Sequence, residues 1–171
     1  MNAVISGVDP NAEVVTNSKG GKQSQSPAAL HLVDPEFLIH WVNTLPFQVK
    51  EEYAVALKSC FMYMKEGNDL KLYKAIELVE PDAVKRLFTV GERLQYGATK
   101  GNNGRGYPRN NWRLIPREDH LNHAMIHLIA LMTGDTQDNH YGACLCRLHM
   151  AIATEESDGF KYTEPENKKD G

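Results

Sequence analysis

No apolar run in the chain approaches the roughly 18 residues that a membrane-crossing helix needs. Cysteine is scarce: Cys60, Cys144 and Cys146 are odd in number and lack zinc-ribbon spacing, and the last two sit in an apolar segment where a free thiol acts as a small hydrophobe. A disulfide framework is therefore excluded. Positive charge is not in excess, because 19 Lys and Arg against 22 Asp and Glu give a formal net charge of -3, which argues against general nucleic-acid binding. The N-terminus lacks a basic segment followed by an apolar stretch, so secretion loses support and the cytoplasm is the expected location. Windows of β alternation are almost absent. What remains is 171 residues, 42% hydrophobic and 24% charged, about one domain's worth of chain with enough length for a real core.

Residues 1–29 carry Gly, Ser, Asn, Gln and Lys with few large apolar groups, and read as a flexible leader. Residues 155–171 are equally polar and read as a flexible tail. Between them, residues 30–154 have apolar groups at helical spacing, which predicts an all-α fold, a helical bundle. Asp34 and Pro35 supply an N-cap and first-turn proline for a helix carrying Phe37, Leu38, Trp41, Val42 and Leu45. A second helix carries Val49, Tyr53, Leu57, Cys60, Phe61 and Met64 and stops near Gly67. Asn68 or Asp69 caps a third, with Leu72, Tyr73, Ile76 and Val79. A fourth runs from Asp82 to Tyr96, with Gly91 expected to let another backbone approach. LVDPEFL at 32–38 and LVEPDAV at 78–84 echo one another, either as two helix starts with the same capping chemistry or as a duplicated element.

Residues 99–113 are loop by composition, yet hold Lys100, Arg105, Arg109 and Arg113 as donors and Tyr107 and Trp112 as flat faces on which a base stacks. The bland alternative is a solvated basic loop with Trp112 in the core. Pro116 opens a helix to Thr133, ended by Gly134, with Glu118 and Asp119 in its first turn. On it His120, His123 and His127 share one face. A helix running from about Asp138 to Thr154 completes an antiparallel hairpin, and the register sets Arg147 roughly opposite His123 and Asp119 as a salt bridge, a phosphate clamp, or both. Asp135, Asp138 and His140 cluster at the junction, where Asp135 or Thr136 also reads as a plain N-cap and Asp138 as a first-turn acid. Carboxylates and imidazoles facing inward from paired helices are what metal sites in bundles use, and these ligand types suit several divalent metals.

GGKQS, YGATK, NNWRLIPREDHLNHAMIHL, GDTQDNH and ACLCRL together resemble the phage and bacterial family called dATP/dGTP diphosphohydrolase, N-terminal domain, most specifically over 92–153. Gly97 and Lys100 match its GAxKYG segment. Asn111, Trp112 and Arg113 match its NWR, and Asp119, His120, Asn122, His123 and His127 match its histidine helix. Asp135, Asp138, His140, Cys146 and Arg147 match the second half. Two departures stand out: GNNGRG is inserted before Tyr107, and Ala143 replaces a customary histidine. Residues 38–78 look like an insertion. Glu77 and Glu80 have the Glu-x-x-Glu spacing of MazG-like pyrophosphohydrolases, but Pro81 breaks the helix there and the match is read as chance.

The resemblance implies a phage-type enzyme that hydrolyses a purine deoxynucleoside triphosphate, dATP or dGTP, to monophosphate and pyrophosphate. In that reading Asp119, His120, His123 and His127 are catalytic. Mg2+ or Mn2+ is held by Asp119, His123, Asp135, Asp138 and His140, and Lys100, Arg109, Asn111, Trp112, Arg113 and Arg147 bind the nucleotide. Two alternatives stay open: a module that sequesters a nucleotide or nucleotide-derived signal without turnover, and a structural or adaptor protein with packed histidines. The apolar surface of the helices further predicts a homo-oligomer.

Overall fold

Capping chemistry sets most of the element boundaries in the computed structural model, which describes residues 13–46, 50–101 and 104–154. The first element is an antiparallel ribbon of β1 (Val14–Thr16) and β2 (Lys22–Ser24), with Val15 opposite Gln23. Helix α1 (Pro35–Asn43) begins where Asp34 accepts a hydrogen bond from the Phe37 amide, and α2 (Glu51–Glu66) ends at Gly67. Helix α3 (Leu70–Val79) follows, and α4 (Ala83–Ala98) starts where the Asp82 carboxylate accepts from the amides of Val84 and Lys85. A two-residue ribbon, β3 (Lys100–Gly101) with β4 (Gly104–Arg105), and a 3-10 turn (Asn111–Leu114) lead to α5 (Arg117–Thr133) and α6 (His140–Ala153). The architecture is thus an all-α bundle with two very small ribbons, as the periodicity predicts.

Helices α5 and α6 form the antiparallel hairpin with the most extensive pairing in the molecule. Helix α2 packs on α5 and on both α1 and α3, while α3 and α4 cover α6. Leu57, Phe61, Leu72, Leu121, Met125, Leu128, Leu145 and Leu148 are buried in one continuous core, where each large aliphatic side chain contributes roughly 1.5–3 kcal/mol. The segment 38–78 supplies much of this core. Arg117, buried at the start of α5, donates to Tyr63 and Asp69 and to the carbonyls of Ile152 and Thr154, tying four helices together.

Several expectations are corrected. Of the flexible leader, residues 1–12 lie outside the described residues, but 13–29 are built into the fold. The β1–β2 turn closes through Gly20, whose φ of 86° favours glycine. The Asn17 side-chain oxygen accepts from the amides of Lys19 and Gly21, and its amide donates to the Leu114 carbonyl. Asn122 then pins the following segment, accepting from the Leu30 amide and donating to Ser26 and the Ala28 carbonyl. Composition weighs apolar burial, whereas this segment is ordered by polar hydrogen bonds. Helix α6 is capped by Asn139, which accepts from the Gly142 amide, not by Asp135 or Thr136. Gly91 faces open space rather than another backbone. The tail 155–171 lies outside the described residues. Among those described, no helix is long and apolar enough to cross a membrane.

Candidate functional site

A cavity of about 740 Å³ opens between the C-terminal half of α4, the 105–115 segment, α5 and α6. Among the described residues, six cationic side chains line it, Lys22, Arg93, Arg105, Arg109, Arg113 and Arg147, against one carboxylate, Asp138. Tyr96, Tyr107 and Trp112 add flat faces. Such a wall attracts an anion carrying an aromatic group.

Five of the six cations are held by different devices. Lys22 is brought in by the β1–β2 ribbon, whose backbone is clamped by Asn111: the Asn111 oxygen accepts from the Lys22 amide at 2.7 Å, and its side-chain NH2 donates to the Lys22 carbonyl at 2.6 Å. Arg105 donates to Ser24 of the same ribbon. Arg93 makes a two-pronged pair with Asp138 at 3.0 and 3.3 Å and lies 4.6 Å from the centre of the Tyr96 ring. The Arg113 guanidinium covers one face of Trp112 at 4.3 Å, and His149 packs against the indole at 5.6 Å. Arg147 donates to Gln23 at 2.9 Å and to His120 Nδ1 at 3.0 Å. Burial pulls the Arg147 guanidinium down to about 10, which leaves it charged at neutral pH.

Among the candidate catalytic histidines the geometry assigns different jobs. His120 is fully buried with both ring nitrogens engaged, Nδ1 accepting from Arg147 and Nε2 donating to the Trp112 carbonyl at 2.8 Å. Burial takes it down to about 3, so it stays neutral. It is a pin between α5, α6 and the NWR turn. His123 and Asp119 lie away from the large cavity and line a smaller one of about 290 Å³ with His31. There Asp119 accepts from Gln23, and burial raises its carboxyl above the ordinary range.

His127 alone of the three lines the large cavity. Its Nδ1 lies 2.9 Å from His140 Nδ1, and His140 Nε2 lies 2.8 Å from the Asp135 carboxylate. The ionised carboxylate only accepts, so His140 Nε2 carries its hydrogen and Nδ1 accepts from the Nδ1–H of His127. That assignment leaves His127 Nε2 with a free lone pair. Burial first, then His140, Arg147 and Arg93, hold the His127 imidazole well below its ordinary value.

The five residues expected to hold a metal are therefore spread over three places: Asp119 and His123 at the small cavity, Asp135 with His140 behind His127, and Asp138 on Arg93. Among the described residues no three His, Cys, Asp or Glu side chains converge to hold an ion, so the expected set does not form one coordination shell. Asn111, expected to bind nucleotide, lines the cavity too, but it is 5% exposed and its side chain is bonded to the Lys22 backbone. Arg109, Trp112, Arg113 and Arg147 do line the cavity, whereas the Lys100 side chain lies outside the described residues. Burial pushes the Cys146 thiol up to about 11, which removes it as a nucleophile.

Sequence reasoning missed Arg93, Tyr96, Lys22 and Gln23. Apolar spacing marks α4 as a helix but says nothing of Arg93 and Tyr96 on its other side, and Lys22 and Gln23 lie in a polar segment whose order comes from distant partners. A family model described as dATP/dGTP diphosphohydrolase, N-terminal, matches residues 64–163. Neither a curated protein nor a solved structure matches the chain.

Proposed function

The chain belongs to the dATP/dGTP diphosphohydrolase N-terminal family, and on that premise we propose that its large cavity binds dATP or dGTP and hydrolyses it to monophosphate and pyrophosphate. The observation that carries this reading is the ratio of six cations to one already paired carboxylate in a cavity that also presents three aromatic rings. Arg147, Arg113 and Lys22 neutralise the phosphate oxygens, and Tyr96, Tyr107 or Trp112 takes the purine. Water attacks the α-phosphorus, its proton goes to His127 Nε2, and the bond to the bridging oxygen of the pyrophosphate breaks. An imidazole held neutral is ready to accept that proton, and the arriving triphosphate charge offsets the arginines that depress its basicity.

A second reading, binding without turnover, draws on Ala143, which lines the cavity where the resemblance leads one to expect another histidine. A site lacking one group still binds phosphate while misplacing the water, and a misplacement of about 1 Å costs about a hundredfold in rate. One experiment separates the readings. The protein is incubated with dATP or dGTP as the Mg2+ or Mn2+ complex, then heat-denatured, and the released nucleotide is analysed. Monophosphate with pyrophosphate supports hydrolysis, and replacing His127 by Gln should then lower kcat by about a hundredfold or more while nucleotide is still bound. Intact nucleotide, depleted in proportion to protein and recovered on heating, supports sequestration. No depletion and no cleavage sinks both.

A further inference from the structure

Helix α4 turns one side to the core through Val90 and leaves the other bare. Val84, Leu87 and Phe88 are 64%, 71% and 67% exposed, and Gly91 completes the i, i+3, i+4, i+7 stripe. Isolated exposed hydrophobes need no explanation, but three large ones on one helical turn and a half do. A Cβ placed on Gly91 meets nothing within 4 Å, so the stripe carries a notch at one end and bulk at the other.

The stripe is complementary to itself. We propose that α4 is the contact helix of a homodimer, packing antiparallel on α4 of a second copy about a twofold axis between Leu87 and Phe88. Reversal about that point sets Leu87 against Phe88 of the other copy and Val84 into the Gly91 notch. Lys85 and Glu92 lie seven residues apart, hence on the same flank of the stripe, and both are exposed. The same reversal brings Lys85 of each copy to within two residues of the level of Glu92 of the other, about 3 Å along the axis, which the long lysine side chain spans to make two ion pairs along one edge. A parallel arrangement places the two charged flanks on opposite edges, where Lys85 and Glu92 do not meet. Lys85 already meets Glu80 at 2.9 Å within its own chain, and an ammonium has three donors, so both carboxylates are served. This charge pattern selects a second copy over an unrelated apolar partner. The opposite side of the same helix contributes Arg93 and Tyr96 to the cavity, so the contact stiffens the helix that carries them.

Sedimentation equilibrium of the full chain tests the proposal at micromolar concentration. The wild type is expected as a dimer, and Phe88→Glu as a monomer with unchanged helical circular dichroism, since Phe88 is exposed and absent from the core. Lys85→Glu and Glu92→Lys should each raise the dissociation constant by about tenfold. The double variant Lys85→Glu/Glu92→Lys should recover affinity, although it does not rebuild the internal pair with Glu80. A monomeric wild type, a dimer indifferent to Phe88→Glu, or a double variant no tighter than the single ones would each overturn the proposal. So would a monomer whose α4 face is protected from hydrogen exchange by another segment of its own chain.

Discussion

A histidine buried as a neutral ring makes stability depend on acid. His120, His123 and His127 are all depressed by burial, His120 to about 3 and the other two well below their ordinary value. Unfolding releases rings that take up a proton near pH 6.5, so below that value the unfolded chain binds more protons than the folded one. Their contribution is complete above pH 6.5 and fades as pH falls toward the folded values, at up to about 1.4 kcal/mol per pH unit for each ring. Glu118 and Asp119, raised by burial, act in the opposite sense from their ordinary values upward, two carboxyls against three rings. The urea midpoint should accordingly drop between pH 7 and pH 5. A midpoint unchanged across that window would mean that the rings are not buried neutral. The histidine stripe was legible from spacing, and its burial from the apolar residues around it. The division of labour was not, because one face of a helix touches three environments: the NWR turn at His120, a small cavity at His123, and the large cavity at His127.

At the level of elements, the device that joins ribbon to bundle is a close approach. A Cβ on Gly21 would stand 2.7 Å from the Leu114 carbonyl oxygen and 2.9 Å from the Asn17 amide nitrogen, both already bonded to each other. Gly21→Ala should therefore push the ribbon off, since overpacking of this kind costs about 1–3 kcal/mol, and take Lys22 and Gln23 with it. The expected outcome is unchanged helical circular dichroism with nucleotide affinity lower by about tenfold, measured by calorimetric titration. Unaltered affinity would remove the ribbon from the site. Helix boundaries were readable wherever a side chain does the capping, as at Asp34 and Asp82, or a glycine ends the helix, as at Gly67 and Gly134. They were not readable at α6, where Asp135, Thr136, Asp138 and Asn139 all qualify as caps and only tertiary partners choose among them: Asp138 goes to Arg93, Asp135 to His140, and Asn139 is left to cap. The ribbon escaped notice because its order comes from Asn111 and Asn122, about ninety residues away along the chain, a distance that no local window spans.

For the whole molecule, the pairing of α5 with α6, backed by α2, predicts a gradient of protection. Amides around Met125 and Leu148 should exchange only through global unfolding, while those of β1 and β2 should exchange through undocking of the ribbon alone. Equal rates in the two regions would contradict a bundle core with a docked ribbon. The all-α class was legible because every long segment keeps one period, and the single core follows from it. The cavity was legible only as an inventory of donors, since its walls come from both ends of the described chain. That arrangement fixes an order of events during synthesis. Residues 22 and 23 leave the ribosome long before Asn111, Asp119 and Arg147, the residues that receive them. The nascent ribbon has no partner until residues 111–119 emerge and lacks Arg147 until the last helix does, so the anion site closes only when nearly all of the described chain is made, and a product arrested before α6 carries the ribbon and the NWR turn without the finished pocket.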